Sequence, residues 1–296
     1  MGIVKIKQVD AFTTELFGGN PAGVVTAADG LPDELKQKIA REMNLSETAF
    51  VSRSGTADFK VQFFTPNAEV DLCGHATIAT FATLYEEGRL DPAKTVFYQE
   101  TKAGILPVEV VKAGGQAVFM MTQAAPQLSE AGLSREEFAT ALGLTAGDLL
   151  DLPPMKVSTG LWWLVAGVKQ LDKLSSCRAD FAALEVMSRQ CGAVGFVPFC
   201  LETVRPDSSF YMRAFAPLVG INEDPVCGTG AGCAAAYIVA HALLAAERDT
   251  CLTGEAGLEV RRPGWVNVLV SKQAGRVDTV KVGGPAITVL EGEMRF

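Results

Sequence analysis

The sequence predicts an α+β protein of two pseudo-symmetric lobes, each a curled, mostly antiparallel sheet wrapped around a central buried helix. Three observations lead there. Strand-like segments dominate and do not alternate regularly with helices, which disfavours a doubly wound parallel sheet. Two helix candidates are apolar or small nearly all round, the pattern of a helix enclosed on every side. A motif that precedes the first of these helices recurs about half the chain later before the second.

The strand candidates are Ile3–Val9, Phe59–Phe64, Gly104–Val111, Gln116–Met121, Leu161–Ala166, Ala193–Phe199, Ser208–Phe215, Trp265–Val270 and Ile287–Leu290. They are rich in Val, Ile, Phe and Trp, and several alternate, as Phe59, Val61 and Phe63 do. Three amphipathic helices are expected. Residues 32–43 begin with Pro32 near the first helical position and repeat Leu35, Ile39 and Met43. Residues 134–142 begin with Ser134 and carry Glu137 three positions on, a capping box. Residues 178–190 form the third. The two enclosed helices are 75–86 (HATIATFATLYE) and 229–246 (TGAGCAAAYIVAHALLAA).

The duplicated motif runs Phe64-Thr65-Pro66, Asp71, Cys73-Gly74-His75-Ala76 in the first copy and Phe215-Ala216-Pro217, Asp224, Cys227-Gly228-Thr229-Gly230 in the second. Each copy reads strand, Phe-x-Pro turn, acidic residue, Cys-Gly, buried helix. A Cys-Gly turn at a helix start exposes backbone N–H groups that bind a carboxylate, and Gly lets the ligand come close. The partial positive charge there lowers a thiol pKa, so Cys73 and Cys227 can act as bases near neutral pH. Two such turns facing one carbon supply what proton removal and return require. The alternative is that both cysteines are small buried hydrophobes. His75, at a helix N-terminus, is expected to stay neutral and to polarise a carbonyl or relay a proton. His241 reads as a packed mid-helix histidine. Glu47, at a helix-to-strand junction, can point an acid/base carboxylate into a cleft. The turn-rich segment Phe17–Gly23, with Asn20, fits close backbone approach to a ligand.

Composition excludes several classes. The chain has 296 residues, 48% hydrophobic and 20% charged, with a formal charge of −8 and no basic run, so no nucleic-acid partner is expected. Its two histidines begin no HExxH, and its seven cysteines form no CxxC, so no metal is expected. Gly228–Gly232 lacks the third glycine of a dinucleotide loop and follows no apolar strand, so no nucleotide cofactor is expected. The most apolar stretch, Ala234–Ala246, is too short to span a bilayer. An odd number of scattered cysteines without a signal-peptide pattern reads as reduced thiols in the cytoplasm.

Together, Val9-Asp10-Ala11-Phe12 with Gly19-Asn20-Pro21-Ala22-Gly23, Ser46-Glu47-Thr48, Phe64-Thr65-Pro66 with Cys73-Gly74-His75-Ala76-Thr77, and Glu223-Asp224-Pro225-Val226-Cys227-Gly228 resemble the phenazine-biosynthesis PhzF-like family. The match runs in order over nearly the whole chain. It implies the fold of diaminopimelate epimerase and proline racemase, with the active site between two similar lobes. On this reading residues 1–122, completed by the C-terminal strand 284–296, form one lobe and 123–283 the other. The resemblance implies a cofactor-independent isomerase acting on a small carboxylate, and it suggests a homodimer. In the phenazine enzyme a Glu in the Ser-Glu-Thr motif moves a proton along a dienyl amino acid, and Glu47 matches it. The family's supporting His and Asp fall on His75 and Asp224, and its second-turn hydroxyl falls on Thr229, where the phenazine enzyme has Ser. Asn20, Gly74, Ala76, Gly228, Thr229 and Gly230 are the expected substrate-binding positions. Cys73 and Cys227 depart from the phenazine enzyme and look more like the paired cysteine motifs of proline racemase and diaminopimelate epimerase. Proton transfer by Glu47 or by the thiol pair both stay open, as does a carboxylate-binding protein without catalysis.

Overall fold

Strand β1 (Ile3–Ala11) shows how alternation builds the first sheet. Val4 and Ile6 are buried while Ile3 and Lys5 are exposed, the two-residue period of a half-covered strand. In the computed structural model, which describes residues 2–113, 115–245 and 248–296, the chain divides into two units: Met1–Thr122 with Gly283–Phe296, and Gln123–Val282.

In the first unit β1 pairs antiparallel with β2 (Asn20–Val25) and with the C-terminal strand Ala286–Arg295. Strand β2 pairs parallel with β3 (Thr48–Ser52), a geometry that needs a crossover, and α1 (Asp33–Met43) supplies it. Strand β3 pairs antiparallel with β4 (Phe59–Phe64), and β4 with β5 (Glu69–Val70). Helix α2 (Gly74–Glu86) carries the chain to β6 (Val96–Thr101), parallel to β4. Strands β7 (Gly104–Ala113) and β8 (Gln116–Thr122) follow as an antiparallel meander.

In the second unit a strand and a helix come first. Strand β9 (Gln127–Glu130) and helix α3 (Arg135–Ala141) lead to β10 (Met155–Ser158) and β11 (Trp162–Gly167), which pair antiparallel. Helices α4 (Leu171–Ser176) and α5 (Phe181–Cys191) form the crossover to β12 (Gly195–Cys200), parallel to β11. Strand β12 pairs antiparallel with β13 (Phe210–Met212) and β14 (Ala214–Ala216), and β14 with β15 (Ile221–Asp224). Helix α6 (Gly228–Ala240) then leads to β16 (Asp249–Ala256), parallel to β13 and antiparallel to β17 (Gly264–Gln273), before β18 (Arg276–Gly284). The sheet is thus mostly antiparallel, and among the described residues each parallel pair named above is joined by a helical crossover.

Both enclosed helices are buried as their composition requires. Helix α2 is buried without interruption from Ala76 to Leu84, and α6 from Gly230 to Val239. Helix α2 packs on β1, β2, β3, β8 and the C-terminal strand, and α6 on β10, β11, β12, β16 and β17. Polar groups in α2 satisfy themselves: the Thr77, Thr80 and Thr83 hydroxyls donate to the carbonyls of Cys73, Ala76 and Ala79 at 2.8, 2.7 and 2.8 Å. Further buried clusters form beside the amphipathic helices. Ile39 and Ala40 of α1 meet Val4, Ile6, Val25, Phe50 and Phe64. Phe138 and Leu184 of α3 and α5 meet Phe196, Tyr211 and Phe215, the Phe138 and Phe196 rings 5.0 Å apart.

Three expectations need correction. Asn20–Gly23 do not belong to a loop but open strand β2; the loop ends at Gly19, where φ is +55° and an added Cβ would lie 2.1 Å from the Ala11 carbonyl oxygen. The strand expected over Ser208–Phe215 is broken at Arg213 into β13 and β14. Helix α6 ends at Ala240: His241 is its C-cap, not a mid-helix residue, and Ala242 turns left-handed at φ 51°. The expected last helical residue, Ala246, lies outside the described residues. No helix among the described residues is long and apolar enough to cross a membrane.

Candidate active site

Helices α2 and α6 each begin on a cysteine. Cys73 is the N-cap of α2 and Cys227 that of α6, both in extended backbone conformation. Gly74 and Gly228 follow as first helical residues, and His75 and Thr229 take the second position. The two Cys-Gly turns are therefore the same local structure built twice, once in each unit.

In the first unit three functional side chains converge. The His75 Nε2 atom lies 3.3 Å from Glu47 Oε2 and 3.3 Å from the Ser46 hydroxyl. Cys73 Sγ lies beside both ring nitrogens, 3.4 Å from Nδ1 and 3.9 Å from Nε2. The Glu47 and His75 side chains are only 15% and 11% exposed, so water screens this contact weakly. The elements explain the meeting. Residues 44–47 link α1 to β3, with Asn44 left-handed at the C-cap of α1, and β3 is parallel to β2 and antiparallel to β4. The imidazole thus stands between the two groups, with Nε2 in ion-pair range of Glu47 Oε2 but not hydrogen-bonded to it, and the Cys73 sulfur beside the ring. The Cys73 side chain makes no cap hydrogen bond to α2, and a Cβ built on Gly74 meets nothing within 4 Å. An anion thus has both backbone donors and room at the start of this helix.

In the second unit the Cys227 thiol is engaged differently. Its sulfur accepts from the Gly230 N–H at 3.4 Å and lies 3.5 Å from the Thr229 hydroxyl. Burial pushes the thiol well above its ordinary pKa, and the charge of the adjacent Asp224 carboxylate raises it further; the Thr229 hydroxyl and Gly230 N–H oppose this without reversing it. The expectation of an acidified thiol is thereby overturned for Cys227: desolvation outweighs the helix N-terminus. At neutral pH Cys227 is a neutral thiol, the proton-donating form. Asp224 ends β15, and its neighbour Glu223 holds that strand through a bidentate pair with buried Arg213, at 2.8 Å to each oxygen.

The duplication in the sequence aligns Asp71 with Asp224, but the two do different work. The Asp71 side chain is 71% exposed and faces Lys102 at 3.8 Å. Glu47, from an earlier strand junction, is the carboxylate that reaches the first turn of α2. Ser46, beside His75, was not among the expected site residues, although it belongs to the same Ser-Glu-Thr motif. Asn20 is buried at the start of β2, paired with Ala11. Ala76 is buried on α2, Gly230 on α6, and Gly228 and Thr229 are partly exposed. His241 stacks on Tyr237 at 4.1 Å and shares a 3.0 Å hydrogen bond with its carbonyl, a packing role. Among the described residues one mixed donor set has metal-ligand types within 4.8 Å of one another: Glu47, Cys73 and His75.

Residues 9–292 match the family model of phenazine biosynthesis-like proteins, PhzC-PhzF. A protein of Clostridium acetobutylicum described as an uncharacterized isomerase is 38% identical, over 97% of this chain and 96% of its own length. The crystal structure of a PhzF-family phenazine biosynthesis protein from Bacillus anthracis superposes with a TM-score of 0.93 at 36% identity, covering 100% of both chains. The fold alone is shared with a hydroxyproline epimerase from Agrobacterium vitis, at 12% identity and a TM-score of 0.60, over 99% of this chain and 91% of that one.

Proposed function

The chain belongs to the phenazine biosynthesis-like family, and we propose that it is an isomerase that moves a proton on a small amino- or hydroxy-acid carboxylate. The observation that carries this reading is the buried chain Glu47–His75–Cys73 at the open start of α2. Glu47 takes the proton: its oxygen gains the hydrogen as the C–H bond breaks, and the electron pair moves into the substrate's conjugated carboxylate. His75 holds the carboxylate in place and relays charge. The N–H groups at the start of the helix bear the substrate carboxylate, which offsets the weak acidity of the C–H bond. The neutral Cys227 thiol, with Asp224 beside it, is the group suited to returning a proton rather than removing one. The placement of both cysteines at helix N-caps favours a second version, in which Cys73 and Cys227 carry the transfer between them.

Proton NMR in D2O tests this, with a panel of proline enantiomers, hydroxyprolines, diaminopimelate and dihydro-3-hydroxyanthranilate. Loss of a C–H signal is expected for a true substrate. Glu47→Gln should slow that exchange at least about 100-fold, the ordinary worth of a general base. Exchange that survives Glu47→Gln but vanishes in Cys227→Ala establishes the thiol version. A ligand that binds without any exchange points instead to a carboxylate-binding protein.

A further inference from the structure

The same three side chains have a second chemistry. Cys, His and Glu are the donor types of a zinc site, and a tetrahedral centre with metal–ligand lengths of about 2.0–2.3 Å sets donor atoms about 3.3–3.6 Å apart. His75 Nε2 stands 3.3 Å from Glu47 Oε2 and 3.9 Å from Cys73 Sγ, and the three donor atoms all fall within 4.8 Å of one another. Bringing sulfur and Nε2 onto one ion requires the His75 ring to turn, because Sγ lies nearer Nδ1, at 3.4 Å, than Nε2. The Glu47 Oε2 atom is buried and makes no hydrogen bond, its ion-pair contact to His75 apart, so its lone pairs are turned toward this cluster. Charge also balances: a thiolate, a carboxylate and a neutral imidazole cancel a divalent cation, whereas the ligand-free cluster leaves a carboxylate in a poorly hydrated place.

We infer that Glu47, Cys73 and His75 form a three-donor site for a thiophilic divalent cation of the zinc class, with the fourth position open beside Gly74. Binding breaks the Cys73 S–H bond, sends that proton to solvent, and forms a metal–sulfur bond. No electron is transferred. Spacing along the sequence hides such a site, because its carboxylate comes from a distant strand junction and the pattern is neither CxxC nor HExxH. The inference stands apart from the isomerase reading in its first consequence and rests on it in the second. The first is that the protein binds the cation with or without any activity. The second is that a bound cation takes Glu47 and Cys73 out of proton transfer, so it inhibits reversibly.

The test uses the full chain in a Cys251→Ser background, which removes an exposed thiol outside the cluster. Cobalt(II) is titrated as a spectroscopic probe, then displaced by zinc. One equivalent should bind and give a thiolate-to-cobalt charge-transfer band together with intense visible bands of tetrahedral cobalt. Cys73→Ser should abolish the charge-transfer band, and Glu47→Gln should weaken binding more than about tenfold. A second readout guards against variants that fold poorly: in the unsubstituted chain, zinc should slow alkylation of Cys73 and leave that of Cys251 unchanged, as read by peptide mass spectrometry. A charge-transfer band that persists in Cys73→Ser overturns the inference, as does the absence of saturable binding with no protection of Cys73. Cobalt binding with the expected spectrum but undiminished C–H exchange upholds the metal site and removes Glu47 from the reaction.

Discussion

Replacing Glu223 by Ala should cost the second unit about 3 kcal/mol. Glu223 and Arg213 form a bidentate ion pair at 2.8 Å and 2.8 Å, with side chains only 13% and 8% exposed. At a charge separation of about 4 Å and an effective dielectric near 20, their attraction is about 4 kcal/mol. Breaking a buried pair by removing one partner costs about 3–5 kcal/mol, because the surviving charge stays desolvated. Here Arg213 Nη1 keeps the carbonyls of Leu174, Ser175 and Cys177 at 3.2, 3.3 and 3.1 Å, which places the loss at the low end. All three tryptophans, Trp162, Trp163 and Trp265, lie in the second unit, so intrinsic fluorescence during urea unfolding reads that unit selectively. At about 2–4 °C per kcal/mol the same change lowers its Tm by about 6–12 °C. Glu223→Gln, which keeps an acceptor for the guanidinium, should recover part of the loss, whereas Arg213→Met also strips the donor from those three carbonyls and should cost more than Glu223→Ala. A loss below about 1 kcal/mol in Glu223→Ala, or an Arg213→Met variant as stable as the parent, refutes the reasoning.

Further expectations concern thiols and caps. Burial pushes the Cys177 thiol up to about 11 and the Cys233 thiol up to about 12, and raises Cys227 as well. Unfolded, these thiols ionise near 9.0, so above that pH the unfolded chain holds fewer protons than the native one. Stability is fully present below about pH 9 and falls as pH rises toward 11–12, by roughly 4 kcal/mol per pH unit if all three thiols contribute, measurable by urea unfolding across that window. Asp224→Asn should move the pH midpoint of Cys227 alkylation downward, because the carboxylate is one cause of its elevation; a midpoint that stays or rises contradicts this. Ser134→Ala should cost about 1 kcal/mol in unfolding free energy, since the Ser134 hydroxyl accepts from the Glu137 N–H and Glu137 returns a bond to the Ser134 N–H.

What the sequence made legible follows from how local each signal is. The capping box at Ser134 and Glu137 needs four consecutive residues and was readable to the atom. The enclosed helices were readable because an all-apolar surface has one physical solution. Strand β2 was not, because its Gly and Pro suggest a loop. Its Gly23 is demanded by a neighbour far along the chain: a Cβ there would sit 2.7 Å from Thr48 Oγ1. The end of α6 was missed because an alanine-rich run has no composition change at Ala240. The motif-level likeness of the two Cys-Gly turns was visible, but the partnership of Glu47 with His75 is a tertiary contact, and only the family resemblance pointed to it. The elevation of the Cys227 thiol depends on burial, which sequence does not report.

The pairing of β1 with the strand Ala286–Arg295 sets an order of events during synthesis. Ile3 meets Arg295 and Ala11 meets Ala286, so a strand made at the outset must wait for nearly the entire chain before its ladder is complete. The second unit, by contrast, is one continuous segment, Gln123–Val282. It can therefore mature on the ribosome while the first unit is still open along one edge. During that interval β1 exposes unpaired backbone groups, the kind of edge that recruits the wrong strand. Lys5 and Lys7 are the charges β1 carries through the wait, and a chaperone that shields this edge would find it unsealed until the final strand arrives.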